Sequence, residues 1–495
     1  MKQTDALAIL ETGVSVFLTG APGAGKTHVL NQFISAARQA GKNVAVTAST
    51  GIASTHVNGQ TIHSWSGIGV SRVLTDDMLK RIRTRRRKAI KSADVLVIDE
   101  ISMLPAQTFD MADRVCRALR RDDRPFGGLQ VVISGDFFQL PPVSSPSKTA
   151  AMFEFNPEAV AEYKKYAEKG RNPDGFVIES FAWDNLNPVI CYLTEQHRQD
   201  DGRLLQILTN IRSGEAGDGD YQILSERKNA RPAEDSAAVC LFPVNAQADR
   251  LNSARLAQIN EELHYFEAQE IGPANLVKRL CSSMLAEKRL ALKKGANVMA
   301  LRNDPNRRYV NGSLGRVVDF LPESKGGWPL VEFENGNVMT VKPADWRITE
   351  GETVLASVSQ VPLRLAWAIT VHKSQGMTLD CAVMDLSRTF APGMGYVALS
   401  RVQKLSGLYL LGISPKACGI SQQAVESDSA LRSLSAQAER LLSAGGGFLE
   451  LSNISQEAFS AFSRFSGSDF EVGQTGGADN PADKPEAEFV QGSLF

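Results

Sequence analysis

Gly20-Ala21-Pro22-Gly23-Ala24-Gly25-Lys26-Thr27 places glycine, glycine, lysine and a hydroxyl residue at the first, sixth, seventh and eighth positions of one stretch. An apolar run at 14–19 precedes it, and a run with helical spacing at 28–39 follows. Strand, Gly-rich loop and helix in that order form a phosphate loop. The glycines let backbone N–H groups close around phosphate oxygens, Lys26 neutralises the β- and γ-phosphates, and the Thr27 hydroxyl ligates Mg²⁺. Gly20, Gly23 and Gly25 are therefore nucleotide-binding candidates. A plain Gly-rich turn is the alternative reading, but the fixed positions would arise by chance only about 0.02 times in a chain of this composition and length.

Outward from the loop, residues 1–143 alternate helical patterns with short apolar runs at 44–47, 95–98 and 131–134. That rhythm predicts a parallel sheet with crossover helices. Val95-Leu96-Val97-Ile98-Asp99-Glu100 sets two carboxylates at the end of a buried strand, where open α/β sheets place their ligands. Asp99 suits Mg²⁺ held through water, and Glu100 suits activation of the water that attacks the γ-phosphate. Asp136 and Gln139 form a further polar cluster before Pro141-Pro142. Gln139 can sense the γ-phosphate there, although polar side chains satisfying a tight turn would explain the cluster equally well on their own.

The chain has 495 residues, enough for about three domains. With 43% hydrophobic and 22% charged residues it reads as neither fibrous nor wholly disordered. No apolar run reaches the ~18 residues of a membrane helix, and Met1-Lys2-Gln3-Thr4-Asp5 does not open a secretory signal, so the expectation is a cytoplasmic, nucleoid-associated protein with no membrane partner. The six cysteines are scattered without a C-x-x-C pair, which argues against a disulfide framework or zinc module. Net charge is −1, from 54 basic and 55 acidic residues, so any attraction to nucleic acid is local. Residues 80–91 hold eight basic side chains and are the place to look; a solvated helix face is the competing reading.

The expected fold class is α/β, with two RecA-like phosphate-loop domains built on parallel sheets. The first spans 1–182 and includes a basic insertion at 66–92 and a linker at 144–182. The second spans 183–418 with apolar runs at 189–193, 238–242, 296–301 and 382–386. Within it, strand-like pieces and the hairpin signal Asn335-Gly336 predict a small inserted β-barrel at 305–361. A helical extension occupies 419–465, and 466–495, with six acids and one lysine, reads as a disordered acidic tail.

Several strings resemble the PIF-type helicases of superfamily one, relatives of RecD. Thr47-Ala48-Ser49-Thr50-Gly51-Ile52-Ala53 with Thr61-Ile62-His63-Ser64 is similar to the family's early single-strand-binding motif. Gly135-Asp136-Phe137-Phe138-Gln139-Leu140-Pro141-Pro142 resembles another motif of the family, preceded by Pro125-Phe126-Gly127-Gly128. Leu193-Thr194-Glu195-Gln196-His197-Arg198-Gln199, Ala368-Ile369-Thr370-Val371-His372-Lys373-Ser374-Gln375-Gly376 and Tyr396-Val397-Ala398-Leu399-Ser400-Arg401 resemble the later motifs. The resemblance implies an ATP-dependent DNA helicase, with 5′-to-3′ polarity. It implies that Gln3 contacts adenine, that Gly376 borders the nucleotide, and that Arg198 and Arg401 reach the phosphates. It also implies DNA contacts from Thr61, His63, Thr370, His372 and Lys373, on single-stranded and forked DNA.

Two departures from the family pattern stand out. Residues 144–182 exceed the usual join, and 109–117 match the family signature only loosely. A translocase that does not separate strands, or an ATP-binding scaffold, are the rival readings. Finally, Gln491-Gly492-Ser493-Leu494-Phe495 resembles the Gln-x-x-Leu-Phe peptide by which bacterial replication and repair proteins bind the sliding clamp; an incidental apolar end is the alternative.

Overall fold

Five-residue runs rich in valine, isoleucine and leucine are too short to bury a helix face, and they form strands enclosed on both faces. A computed structural model of the chain describes residues 1–57, 59–69, 71–142, 157–196, 201–228, 230–232, 238–284, 286–304, 306, 308–309, 311–350 and 353–454. Its first sheet contains β1 (Val16–Gly20), β2 (Val44–Ala48), β3 (Gln60–Thr61), β4 (Val95–Asp99), β5 (Gln130–Ser134) and β6 (Val189–Leu193). These run in the order β3-β2-β4-β5-β1-β6, all parallel. Every residue of β1, β4, β5 and β6 is buried. The phosphate loop leaves the C-terminal end of β1, with the Asp99–Glu100 pair at the same end of β4 and Gly135-Asp136 following β5.

The run at 189–193 joins this first sheet, pairing with β1 from Val16↔Val189 to Gly20↔Leu193, whereas the sequence pattern placed it in the second α/β unit. Residues 157–186 are likewise more than a linker. Trp183 is buried edge-on against Phe17 of β1, and Phe137 packs on both Phe17 and Phe176, so this segment closes one face of the first sheet. Of the linker expected at 144–182, residues 144–156 lie outside the described residues.

The second parallel sheet is smaller. β7 (Val239–Phe242) is followed much later in the chain by β18 (Ala368–Thr370), β19 (Ala382–Leu386) and β20 (Leu408–Ile413), in the order β18-β7-β19-β20. Between β7 and β18 the chain forms β8 (His264–Glu267), β9 (Gln269–Ile271), β10 (Arg289–Leu292), β11 (Asn297–Ala300), β12 (Leu314–Phe320), β13 (Pro329–Phe333), β14 (Val338–Thr340), β15 (Ala344–Glu350), β16 (Thr353–Gln360) and β17 (Leu363–Leu365). Asn335-Gly336 does make the turn between β13 and β14, with Gly336 at φ 80°. The small barrel expected at 305–361 is not seen as a closed sheet among the described residues. Among the described residues the strands divide into an open five-stranded sheet, β14-β13-β12-β11-β17, a three-stranded sheet, β15-β16-β9, and the pair β10-β8. Closure needs the two edge strands of one sheet to pair, and here the edges of the five-stranded sheet, β14 and β17, do not pair with each other.

The helical extension is present as Gln422–Ser443 and Phe448–Ser452. It returns to the first sheet: the Tyr192 amide of β6 donates to Ser435 Oγ at 2.9 Å, and Asn187 Nδ2 to the Ile454 carbonyl at 3.0 Å. The acidic tail and Gln491-Gly492-Ser493-Leu494-Phe495 lie outside the described residues. No helix among the described residues is long and apolar enough to cross a membrane.

Candidate nucleotide site and nucleic-acid contacts

Backbone geometry shapes the phosphate loop first. Gly20 sits at φ 144°, and a Cβ there would lie 2.7 Å from the Leu193 carbonyl oxygen of the neighbouring strand. Gly25 sits at φ 89°, where a Cβ would collide with the Gln3 side-chain amide. Only glycine fits both positions. Gln3 Nε2 donates to the Ala24 carbonyl at 3.2 Å, and the Gln3 amide donates to Glu195 Oε2 at 2.9 Å, so Gln3 is packed onto the loop itself. Gln196 Nε2 donates to the Pro22 carbonyl at 3.0 Å. Lys26 Nζ is held by the Gly20 and Ala21 carbonyls at 2.7 and 3.1 Å.

A cavity of about 300 Å³ opens over this loop, lined by Gly23, Gly25, Lys26 and Thr27 on one side and Gly376, Thr378, Arg401 and Gln403 on the other, with Glu100 and Gln139 between. The two parallel sheets therefore contribute opposite walls. Arg401 is buried; its Nε donates to the Val397 carbonyl at 2.7 Å and its Nη2 to Ser400 Oγ at 2.8 Å. A guanidinium held by backbone and hydroxyl oxygens keeps its full charge and stands ready to neutralise phosphate. Arg198, the other expected arginine, lies outside the described residues.

Glu100 has φ 51°, ψ 50°, an uncommon left-handed geometry for a non-glycine residue. Burial and the adjacent Asp99 carboxylate push its pKa up to about 7, against the opposing pull of Lys26 and Arg401. Burial also raises Asp99, opposed by a hydrogen bond with the Ser134 side chain. A carboxyl poised near neutrality suits a general base. The residue that the sequence reading left without a role is Gln375. Its Nε2 donates to Glu100 Oε2 at 3.0 Å and to Gln139 Oε1 at 3.1 Å, joining the far wall to both polar groups of the near one. Its place in the string ending at Gly376 was the available signal.

Among the described residues no group of three or more His, Cys, Asp or Glu is arranged to hold a metal ion. Thr27 and Asp99 alone suit an ion whose remaining ligands are phosphate and water, which is the habit of Mg²⁺; bound there, it would neutralise phosphate charge.

The candidate DNA residues occupy equivalent places in the two sheets. Thr61 ends β3 and Thr370 ends β18, each strand being a sheet edge and each threonine the N-cap of a short helical turn. The Thr61 hydroxyl accepts from the Ser64 amide at 3.2 Å. His63 and His372 follow two residues later, both half-buried, and burial lowers the pKa of each. His372 lies nearly parallel to Phe390, 6.5 Å between centroids, and the Phe390 ring is 65% exposed. Burial, and secondarily Arg364, lowers the Lys373 pKa to about 8. The basic run lies on the helix Asp76–Ser92, which is capped by Thr75 and buries only Ile82 and Ile90, leaving most of its arginines and lysines exposed.

Two parallel sheets walling one phosphate-loop cleft define a nucleotide-dependent motor-type protein. The PIF1-like helicase family matches residues 2–166, and the 2B domain of DNA helicase Pif1 matches 275–320. The chain is 37% identical over 530 residues to the ATP-dependent DNA helicase Pif1 of Psychrobacter sp., covering 92% of this chain and 76% of that protein. It is 34% identical to human ATP-dependent DNA helicase PIF1, covering 84% of this chain and 61% of the human one. Among solved structures, the Pif1 helicase of Candida albicans superposes with TM-score 0.74 at 31% identity, covering 87% of this chain and 98% of that one. The Bacteroides Pif1 helicase in complex with ADP-AlF3 and ssDNA superposes with TM-score 0.64 at 28% identity, covering 88% and 97%. The chain belongs to the PIF1-like helicase family.

The base reading of Glu100 has a pH signature. The carboxylate must be ionised to accept a proton, so kcat/KM for ATP rises with pH through a midpoint near 7 and falls below it. Glu100→Gln removes that limb and lowers the rate on the order of 10²–10⁴-fold. A flat profile between pH 5.5 and 8.5 would sink the assignment.

Proposed function

We propose that this chain works as an ATP-dependent DNA helicase whose hydrolysis is licensed by closure of the second sheet on the first, with 5′-to-3′ polarity and forked DNA as substrate. The observation that carries it is the Gln375 amide, which donates at once to Glu100 and Gln139. A group from the second sheet orients the base on the first only while the cleft is closed. DNA contacts at Thr370, His372 and Lys373 lie within five residues of Gln375, so a strand that moves this segment moves the base's partner.

In this reading Lys26 and Arg401 balance the phosphate charge, with Arg198 as a further cation. Gln139 reads the γ-phosphate, Gln3 and Gly376 border the nucleotide, and Thr27 and Asp99 hold Mg²⁺. Thr61 and His63 grip the strand on the first sheet. The exposed Phe390 ring beside His372 adds a face on which bases stack without regard to sequence. The exposed basic face of Asp76–Ser92 meets the phosphates of the duplex at the fork. The small sheets between β7 and β18 handle the displaced DNA rather than the nucleotide. The setting is replication, repair or recombination at the nucleoid.

Strand displacement on duplexes with 5′ or 3′ single-stranded tails, measured beside ATP hydrolysis on the same preparation, tests this. Unwinding should require ATP and a 5′ tail. Replacing Arg85, Arg86 and Arg87 together should weaken forked substrates several-fold more than plain single strands. DNA-stimulated hydrolysis with no strand separation on any substrate would leave the translocase reading instead.

The terminal Gln491-Gly492-Ser493-Leu494-Phe495 supports a second, separable proposal: a tether to the sliding clamp, with Leu494 and Phe495 as paired apolar anchors and Gln491 as the directional amide. Calorimetry of the tail peptide with the clamp should give a dissociation constant on the order of micromolar, lost in a Leu494→Ala, Phe495→Ala peptide. No heat from the native peptide removes the proposal.

A further inference from the structure

Behind the nucleotide cavity, a buried polar chain links parts of the protein that are far apart in sequence. Arg212, on the helix Gly202–Ser213, donates from Nη1 to both carboxylate oxygens of Asp136 at 2.8 Å and to Tyr396 Oη at 3.2 Å. Its Nε and Nη2 donate to Tyr192 Oη at 3.2 and 2.9 Å, and the guanidinium lies over the Phe138 ring, 4.0 Å from the centroid. Tyr192 Oη donates onward to Asp428 Oδ1 at 2.7 Å, on the C-terminal helix Gln422–Ser443. Arg432, one turn along that helix, donates to Tyr192 Oη at 2.8 Å and to Asp428 Oδ2 at 2.6 Å. Two arginines and two aspartates balance; the links at Arg212, Asp136 and Tyr396 are buried, while the end at Asp428 and Arg432 reaches the surface.

Both ends of this chain that face the cavity lead to groups lining it. Asp136 opens the turn that carries Gln139: its carbonyl accepts from the Gln139 amide at 3.0 Å, and its Oδ1 from the Phe138 amide at 3.3 Å. Tyr396 lies on the short helix Met394–Leu399, whose Val397 carbonyl holds Arg401. That helix also touches the Gln139 turn directly. Its N-cap, Gly393, sits at φ 77° so close that a Cβ would lie 2.6 Å from the Phe138 carbonyl oxygen and 2.7 Å from that of Gln139.

We propose that Arg212 is a positioning residue for ATP hydrolysis, fixing the Gln139 turn and the Arg401 helix in one geometry, and that the C-terminal helix sets this geometry through Asp428 and Arg432. The inference rests on the reading of Gln139 and Arg401 as nucleotide-facing groups. Asp136 and Tyr396 share Nη1 while Nε and Nη2 of the same rigid planar group are anchored on Tyr192, so Asp136 cannot shift relative to Tyr396 without loss of a hydrogen bond. Lysine keeps the charge but not the fork, which makes Arg212→Lys the informative change. The residues Asp428 and Arg432 of the C-terminal helix are not among those lining the cavity, and this chain of hydrogen bonds joins them to groups that are.

The test is steady-state ATP hydrolysis with saturating single-stranded DNA, with thermal melting as the control for folding. Arg212→Lys should lower kcat about tenfold with KM for ATP within about threefold; Tyr396→Phe and Asp428→Asn should lower kcat about threefold at unchanged melting temperature. Because part of the effect of Arg212 runs through the Gln139 turn, Arg212→Lys should slow the Gln139→Ala protein by clearly less than it slows the unaltered one, whereas independent structural damage multiplies in full. Normal kcat in Arg212→Lys and Tyr396→Phe, beside an impaired Gln139→Ala protein, overturns the relay. A Gln139→Ala protein that hydrolyses ATP normally overturns the reading of the pocket instead. Should Arg212→Lys fail to fold, Tyr396→Phe and Asp428→Asn carry the decision, since the first removes one hydroxyl, the second removes one charge and converts an acceptor to a donor, and neither changes packing volume appreciably.

Discussion

One side-chain amide, that of Gln375, donates to Glu100 and Gln139 across the cleft, and the arrangement of the cavity depends on it. Glu100 sits in a left-handed backbone geometry that costs on the order of 1–2 kcal/mol, and its carboxyl is buried beside a second acid. Such a group keeps one orientation only when its lone pairs are engaged from a fixed direction. The first sheet provides the carboxyl and the second provides the donor, so the geometry that suits catalysis exists only while the two are together. In the proposed mechanism, with Glu100 as the base, closure of the cleft and proton transfer are one event.

Charge placement follows the same logic of locality. A chain with a net charge of −1 has no long-range pull on DNA, and its densest basic run lies exposed on a helix that buries Ile82 and Ile90 and packs Met78 and Leu79 against the core. At the edges of both parallel sheets the residues proposed to touch DNA are instead hydroxyls at Thr61 and Thr370, half-buried imidazoles, an exposed phenylalanine, and one lysine, Lys373, whose pKa burial lowers to about 8. A motor that must release its track at every step is served by many modest contacts near the strand and a stronger electrostatic field further out.

The phosphate loop and the Asp99–Glu100 pair were legible because their signal is local: glycine spacing and a strand end fix geometry within a few residues. What the sequence could not disclose is pairing at long range. The run at 189–193 announced a buried strand but not its neighbour, and it lies beside β1 rather than β7. Asn335-Gly336 announced a hairpin correctly, yet whether the flanking strands close a barrel depends on edges far apart in the chain, and they stay open. Gln375 is separated from Glu100 by 275 residues, and Tyr192 from Asp428 by 236, so no window of sequence contains either contact. The helix Gln422–Ser443 was visible as helix; that it returns to β6 was not.

The claim that the base is oriented from across the cleft is tested most directly by the single-turnover rate of ATP hydrolysis in Gln375→Ala with saturating single-stranded DNA, measured beside its affinity for ATP. With the bridge as the source of orientation, the rate falls on the order of 10²-fold while ATP affinity stays within a few-fold, because the loop that holds the phosphates is untouched. A Gln375→Ala protein that hydrolyses ATP at the unaltered rate would contradict it.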